Sequence, residues 1–347
     1  MKRFFAITMI AGGLALLAGC HSNNAPDVSG IAVNIKLERF DQFFFQKTDT
    51  TTPVRTLSQL QSAFPYFTND FITNILELPP PAPPYTDSGS AATFRELKLF
   101  LRLTQPIYDS VSSTFQEAAT TRELTQAFRY LKYYFPGYRI PPLVTYLGPF
   151  NAPGVAITNQ AIAVGLQLFG GKNFSFYTSE AGIALYPSYI SRRFEQQYIP
   201  ANVMTAIIND IYPDRSTGRP LVEQMVEKGK QWYLLDKLLP ETPDSIKTGY
   251  TNRQLDWCKE NEGLIWDFFL QSNELYTAEP ALVKSYIGEA PATQEMSPAS
   301  PGNIGQWTGW RIVQAYSNKH PELGLDELMK TSAREIFTAS KYKPRYK

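Results

Sequence analysis

The chain has 347 residues with 33 basic and 32 acidic side chains, so its formal net charge is only +1. Hydrophobic residues make up 43% of the sequence, which supplies a large core and excludes intrinsic disorder. The balanced charge argues against a nucleic-acid-binding surface, which needs a basic excess. The few histidines and cysteines (His21, His320, Cys20 and Cys258) argue against a zinc site with several such ligands. They also argue against Ser-His-Asp and Cys-His enzymes, unless His320 is a lone base.

The N-terminus resembles a secretory signal. A charged start precedes an apolar run over residues 4–18, which is shorter than the about 20 residues that span a bilayer. The tetrapeptide Leu-Ala-Gly-Cys at 17–20 resembles a bacterial lipobox. We therefore predict a signal peptide at 1–19, a lipidated (palmitoylated) Cys20 and a flexible tether at 20–30; an ordinary signal peptide with a chance cysteine is the alternative. Acyl chains would anchor the protein without spanning the membrane. The absence of an acidic cluster after Cys20 favours an anchor facing the periplasm.

Residues 31–347 are predicted to form a single globular domain of the α+β class, predominantly α-helical with a small β-sheet. Alternating apolar residues predict a strand over 31–38, and Thr120 with Glu123 forms a capping-box pattern at a helix start. Prolines predict a long surface loop at 79–90, with an interdomain linker as the alternative. Helices are predicted over 57–78 (broken at Pro65), 92–135, 203–212, 220–239, 254–275 and 300–318, and a β region over 143–166.

Two carboxylates fall on apolar helix stripes. Asp236 lies on the inward stripe of the helix that starts at Pro220, and Glu262 lies on that of the next helix. Two inward carboxylates could form a general acid–base pair, with the pKa of one raised by burial. The alternative is a structural role, with each carboxylate bound to Arg311, to a lysine or to a helix N-terminus. These two residues are the only catalytic candidates, and the sequence predicts no cofactor and no metal.

Glycines cluster near the C-terminal end. Gly302, Gly305 and Gly309 would place one helix face without side chains, although glycine costs about 1 kcal/mol in a helix interior. Such a face predicts the close approach of another helix or of a ligand. Cys258, on an apolar stripe, is predicted to be a core residue and not a nucleophile. The many aromatic side chains fit either a helical core or a sugar-binding groove, and the basic C-terminus fits either a solvated tail or a contact with anionic lipid.

Several segments, taken in order, carry a family resemblance. They are residues 37–45, 186–194, 225–230, 238–240, 249–251, 261–266, 300–310 and 340–345. In this order they resemble the gliding-motility lipoprotein B family of the Bacteroidota, and the resemblance agrees with the lipobox. It implies a cell-envelope lipoprotein of the gliding and type IX secretion machinery, whose partners are the membrane and other envelope proteins. The family has no established catalytic residues, so the resemblance implies none here.

A fainter similarity concerns the fold. The order of a sheet, helices, a Gly-Lys helix and a Gly-x-x-x-Gly-Trp helix is similar to that of zincin-type metallopeptidases. Those enzymes carry His-Glu-x-x-His followed by a Glu-Gly helix, whereas this chain has no histidine from 22 to 319 and has Lys228 directly before Gly229. The similarity therefore implies a zincin-like fold without zinc.

The sequence as a whole favours a non-catalytic envelope lipoprotein that serves gliding motility or type IX secretion as a component or assembly factor. Two alternatives remain. A hydrolase would use Asp236 and Glu262 in a shared cleft, and a glycan-binding lipoprotein would present exposed aromatic side chains in a groove.

Overall fold

The computed structural model describes residues 25–47, 53–80 and 87–345. The predicted signal peptide, Cys20 and the first part of the tether lie outside these residues. The end of the predicted tether differs from expectation, because Val28 is only 2% exposed and packs into the main core. The packed body therefore begins before residue 31. No helix in the described ranges is long and apolar enough to cross a bilayer.

Four strands and seventeen α-helices occur within the described residues. The first half contains β1 (Leu37–Arg39), α1 (Phe40–Lys47), α2 (Pro53–Ala63), α3 (Thr68–Asp70), α4 (Asp87–Thr114), α5 (Glu117–Tyr134), β2 (Leu143–Tyr146), β3 (Val155–Ile157), β4 (Ile162–Gly165) and α6 (Ser175–Thr178). The second half contains α7 (Glu180–Leu185), α8 (Ser188–Ser191), α9 (Ile199–Ile211), α10 (Leu221–Leu238), α11 (Asp244–Thr248), α12 (Asn252–Glu260), α13 (Glu262–Gln271), α14 (Pro280–Ile287), α15 (Ile304–Lys319), α16 (Leu325–Lys330) and α17 (Ala333–Ser340). The predicted class, mainly helical α+β with a small sheet, is confirmed.

The sheet has the strand order β1-β2-β4-β3, in which only β3 runs antiparallel to its neighbour. A tight turn joins β3 to β4, and the Thr158 N–H donates to the Ala161 carbonyl at 2.9 Å. This hairpin lies where the β region was predicted. Because successive side chains of a strand point to opposite faces, the sheet separates two cores. Leu143 faces the main core, and Val144 faces the second core.

The two cores differ in composition. The second core is rich in phenylalanine, and Phe40 and Phe44 from successive turns of α1 stack there with ring centroids 5.7 Å apart. The main core packs α5, α9, α10 and α15 together. Helix α10 is central, because it contacts α5, α9, α15 and α17. This arrangement fixes the position of α15. The start of α15 lies beside a cleft, and its middle packs against α10.

Several local predictions were wrong. Helix α4 begins at Asp87, inside the surface loop predicted over 79–90. The helix predicted over 92–135 is two helices, α4 and α5, and the helix predicted over 300–318 begins only at Ile304. The strand predicted over 31–38 covers only Leu37–Arg39. Helix α5 begins at Glu117, so Thr120 is a buried position inside the helix and not its cap; the Gln116 N–H donates instead to Gln196 Oε1 at 2.8 Å. The helix predicted over 254–275 is interrupted at Asn261, whose side chain donates to the Trp257 carbonyl. A tertiary contact lies at the start of α5, and a local side-chain bond lies at the break near Asn261.

Candidate functional site

The first predicted carboxylate, Asp236, lies near the end of α10. It pairs with Lys247 of α11, whose Nζ also lies 3.0 Å from Asp244 Oδ1. The Lys247 side chain is only 5% exposed, so the ammonium group depends on these two carboxylates for its charge compensation. Asp236 therefore joins α10 to α11.

The second predicted carboxylate, Glu262, begins α13. Arg311 of α15 donates to it from Nε at 2.7 Å and from Nη2 at 3.3 Å, and Tyr342 donates to Oε1 at 2.7 Å. Burial and the neighbouring Glu262 charge raise the pKa of the Tyr342 phenol well above its usual range. Glu262 thus joins α13, α15 and the C-terminal segment. The structure places Glu262 and Asp236 in separate ion pairs, and neither residue lines the cleft described below.

The glycines of 302–309 do not share one contact. A Cβ on Gly309 would lie 1.7 Å from the Met225 carbonyl oxygen, and one on Gly229 would lie 2.1 Å from the Gly309 carbonyl carbon. Helices α10 and α15 therefore cross in direct backbone contact. At Gly305 the contacts are looser, with Ile287 Cγ2 at 3.0 Å. Gly302 lies before the helix, where a Cβ would lie 2.1 Å from the carbonyl oxygen of Ala290. The sequence predicted that another helix or a ligand would approach the glycine face. The structure places helix α10 against it at Gly309.

A cleft of about 540 Å³ opens beside the N-terminal end of α15. Three chain segments line it: 189–193 in and directly after α8, 248–254 at the junction of α11 and α12, and 289–303 before α15. Each of these segments overlaps one that carries the family resemblance, although they are far apart in sequence. A cavity of this size suits one small ligand or the end of a chain.

Two adjacent arginines, Arg192 and Arg193, line the cleft. Arg192 donates from Nη2 to the Gly249 carbonyl at 2.6 Å and from Nε to the Tyr189 carbonyl at 3.2 Å. Arg193 Nη1 lies 3.1 Å from Glu289 Oε1. Burial, together with the charge of Arg193, lowers the pKa of the Arg192 guanidinium. The two guanidinium groups therefore carry more positive charge than the single carboxylate of Glu289 neutralises.

Two further polar side chains lack partners. Arg253 is exposed, and within the described residues it forms no ion pair. Asn303 is only 5% exposed and has a left-handed backbone with φ +47°, yet in the described part of the chain no group hydrogen-bonds its side-chain amide. Among non-glycine residues, asparagine adopts this region comparatively often. Because Asn303 lines the cleft, its amide is available to a ligand there.

The backbone of the cleft adds to its positive potential. Thr251 caps α12 with a capping box and Asn303 precedes α15, so two helix N-termini meet the cleft. Gly249 has φ +72°, and a Cβ there would lie 2.6 Å from Arg193 Nη1. Guanidinium groups stay protonated at physiological pH, so they bind and orient anions and do not transfer protons. The lining suits recognition of an anion.

The sequence did not predict this cleft. The local signal was present in the adjacent pair Arg192–Arg193 and in the Gly-Asn sequence at 302–303. Neither pattern predicts which segments meet, because about 100 residues separate the arginine pair from Asn303. Only the packing of α11, α12 and α15 brings them together.

The remaining predicted features lie elsewhere. Cys258 is fully buried in the main core, and burial raises the pKa of its thiol. Lys341 and Lys343 of the basic tail are exposed, whereas Tyr342 between them is largely covered. Exposed aromatic side chains such as Tyr276 do not line the cleft. Within the described ranges, no group of three or more histidine, cysteine, aspartate or glutamate side chains is arranged to hold a metal ion.

Comparison with known proteins decides the family. The sequence profile described as gliding motility protein GldB matches residues 21–344, which includes the whole cleft and both ion pairs. The chain belongs to the gliding motility protein GldB family. This is a family of gliding-motility lipoproteins, as the motif order predicted. No curated protein and no solved structure matches the chain.

Proposed function

We propose that this member of the GldB family is a non-catalytic component or assembly factor of the gliding and type IX secretion machinery. Lipid on Cys20 holds it at a membrane, facing the periplasm, and the arginine-lined cleft recognises another envelope molecule. The acyl anchor would confine the body to the membrane surface and raise its effective concentration for envelope partners.

One observation carries the proposal. The ionisable side chains predicted for catalysis, Asp236 and Glu262, are engaged in ion pairs between helices. The polar side chains of the cleft, by contrast, include an exposed guanidinium and a buried amide without partners among the described residues. Unpaired groups of this kind are available to a ligand, and a binding role uses them directly.

The test is deletion of the gene, followed by fractionation to measure how much type IX cargo reaches the cell surface. We expect the deletion to reduce surface cargo, and we expect wild type and Asp236→Asn/Glu262→Gln, at matched protein level, to restore it. A double variant that accumulates normally but restores nothing would favour the hydrolase. Unchanged cargo in the deletion strain would contradict the secretion role, and colony spreading would then test motility alone.

The anchor needs a separate test. Metabolic labelling with an alkyne analogue of palmitate should label the wild-type chain. A chain with Cys20→Ser behind an ordinary cleavable signal should remain unlabelled and leave the membrane fraction. Equal labelling of both chains would contradict lipidation at Cys20.

A further inference from the structure

We propose that the cleft formed by 189–193, 248–254 and 289–303 is a binding site for a ligand carboxylate, with Arg253, Arg192 and the Asn303 amide as its polar contacts. This inference deepens the proposed function, on which its biological meaning rests. The binding chemistry can nevertheless be tested on the purified protein alone.

The lining of the cleft carries an excess of positive charge. The cleft contains three guanidinium groups, those of Arg192, Arg193 and Arg253, against the single carboxylate of Glu289. Arg193 takes up Glu289 at 3.1 Å, which leaves two guanidinium groups without a carboxylate partner among the described residues. An incoming anion would relieve the repulsion between the adjacent arginines. The planar fork of a guanidinium matches a carboxylate with two parallel hydrogen bonds.

The Asn303 side chain is a second, uncharged feature of the cleft. The Asn303 side chain is 5% exposed, lines the cleft and has no hydrogen-bond partner among the described residues. The amide therefore offers the cleft a donor and an acceptor that a polar ligand atom can use.

The choice of a carboxylate over a phosphate follows from Glu289. Its side chain is 48% exposed and lies at the rim of the same cleft. A dianionic phosphate between the arginines would meet this negative charge, whereas a carboxylate brings a single charge. Glu289 itself shows that the cleft accepts a carboxylate on Arg193, because it already forms that pair.

The experiment is a calorimetric titration of the full mature chain, purified in mild detergent at low salt. Three pairs of probes are compared: acetyl-trialanine as the free acid and as the amide, D-glucuronate and D-glucose, and acetate and inorganic phosphate. We expect a carboxylate probe to bind with a Kd of roughly 1 mM or tighter, and we expect its uncharged counterpart not to bind. The first two pairs distinguish a peptide terminus from an acidic sugar.

Three variants in the cleft test the inference. Two should weaken carboxylate binding, and the third should strengthen it. Arg253→Gln, at an exposed position, should weaken carboxylate binding by about three- to tenfold. Asn303→Gly keeps the left-handed backbone accessible and removes only the amide, so it should weaken binding by a similar factor. Glu289→Gln removes the competing carboxylate and should strengthen binding. Arg139→Gln, at an exposed arginine outside the cleft, is the matched control and should change nothing.

Several results would overturn the assignment. No binding of any carboxylate probe, or binding that none of the three cleft variants alters, would remove the site. Phosphate bound more tightly than every carboxylate, and lost with Arg253→Gln, would make it a phosphate site instead. Failure of the titration with successful complementation in cells would contradict the carboxylate assignment alone and leave the proposed function standing.

Discussion

The start and the middle of helix α15 use the same glycine-rich stretch in opposite ways. Toward the middle, Gly309 lies against the Met225 carbonyl of α10 with no room for a methyl group. At the start, Asn303 is 5% exposed beside an open cleft, and its side chain has no hydrogen-bond partner in the described part of the chain. One region is packed directly against another helix, and the other leaves polar groups exposed to a cleft. The contrast separates residues that build the fold from residues that can bind.

The same contrast divides the charged residues. Glu262 and Arg311 are paired across two helices, and Asp236 is paired with Lys247. Arg253, at the cleft, has no such partner among the described residues. Charges in the first group stabilise the packing, whereas the charge of Arg253 is free to attract a ligand.

The largest expected effect comes from filling the helix crossing. Gly309→Ala places a Cβ at 1.7 Å from a backbone oxygen, so the helices must separate. We expect a loss of about 3 kcal/mol in the free energy of unfolding, larger than the helix-propensity gain of about 1 kcal/mol. Urea denaturation measures it. Gly137→Ala, where a Cβ would meet nothing within 4 Å, is the control, and equal effects at the two positions would refute the packing argument.

The ion pairs should rank next. Glu262→Gln weakens a two-point pair with Arg311 and a bond from Tyr342, and we expect a cost of about 1–2 kcal/mol in unfolding free energy. Asp236→Asn should cost about 0.5 kcal/mol, because Lys247 retains Asp244 at 3.0 Å. Thermal or urea unfolding distinguishes them, and a larger cost at Asp236 would show that the pairing is misassigned.

At the cleft we expect binding to change without stability. Asn303→Gly should leave the free energy of unfolding within about 0.5 kcal/mol of wild type, since glycine adopts the left-handed backbone readily and no side-chain hydrogen bond is lost. Urea denaturation beside the carboxylate titration checks both parts. A loss as large as that of Gly309→Ala would mean that Asn303 builds the fold.

The smallest signal is expected at Cys258. The thiol is fully buried and its pKa is raised by burial, so little thiolate forms near pH 8. Ellman's reagent should leave the native chain unmodified and should react once denaturant unfolds it. Rapid reaction of the native protein would contradict the assignment of Cys258 to the core.

The sequence predicted elements better than it predicted adjacency. The β region, the helix from Pro220 and the close packing at Gly309 follow from periodicity and from the cost of glycine. Helix starts such as Glu117 depend on a contact with Gln196, which is distant in sequence. The cleft depends on three segments that meet only in the folded chain. Hydrophobic patterning specifies which face is buried but not which loops converge beside it.

The central claim is that the cleft, and not the carboxylate pair, carries the function. The most direct test complements one deletion strain with two variants at matched protein level, Arg253→Gln/Asn303→Gly and Asp236→Asn/Glu262→Gln, and measures type IX cargo at the cell surface. We predict that the carboxylate variant restores cargo to the wild-type level and that the cleft variant does not. Restoration of cargo by the cleft variant, or failure of the carboxylate variant to restore it, would contradict the account.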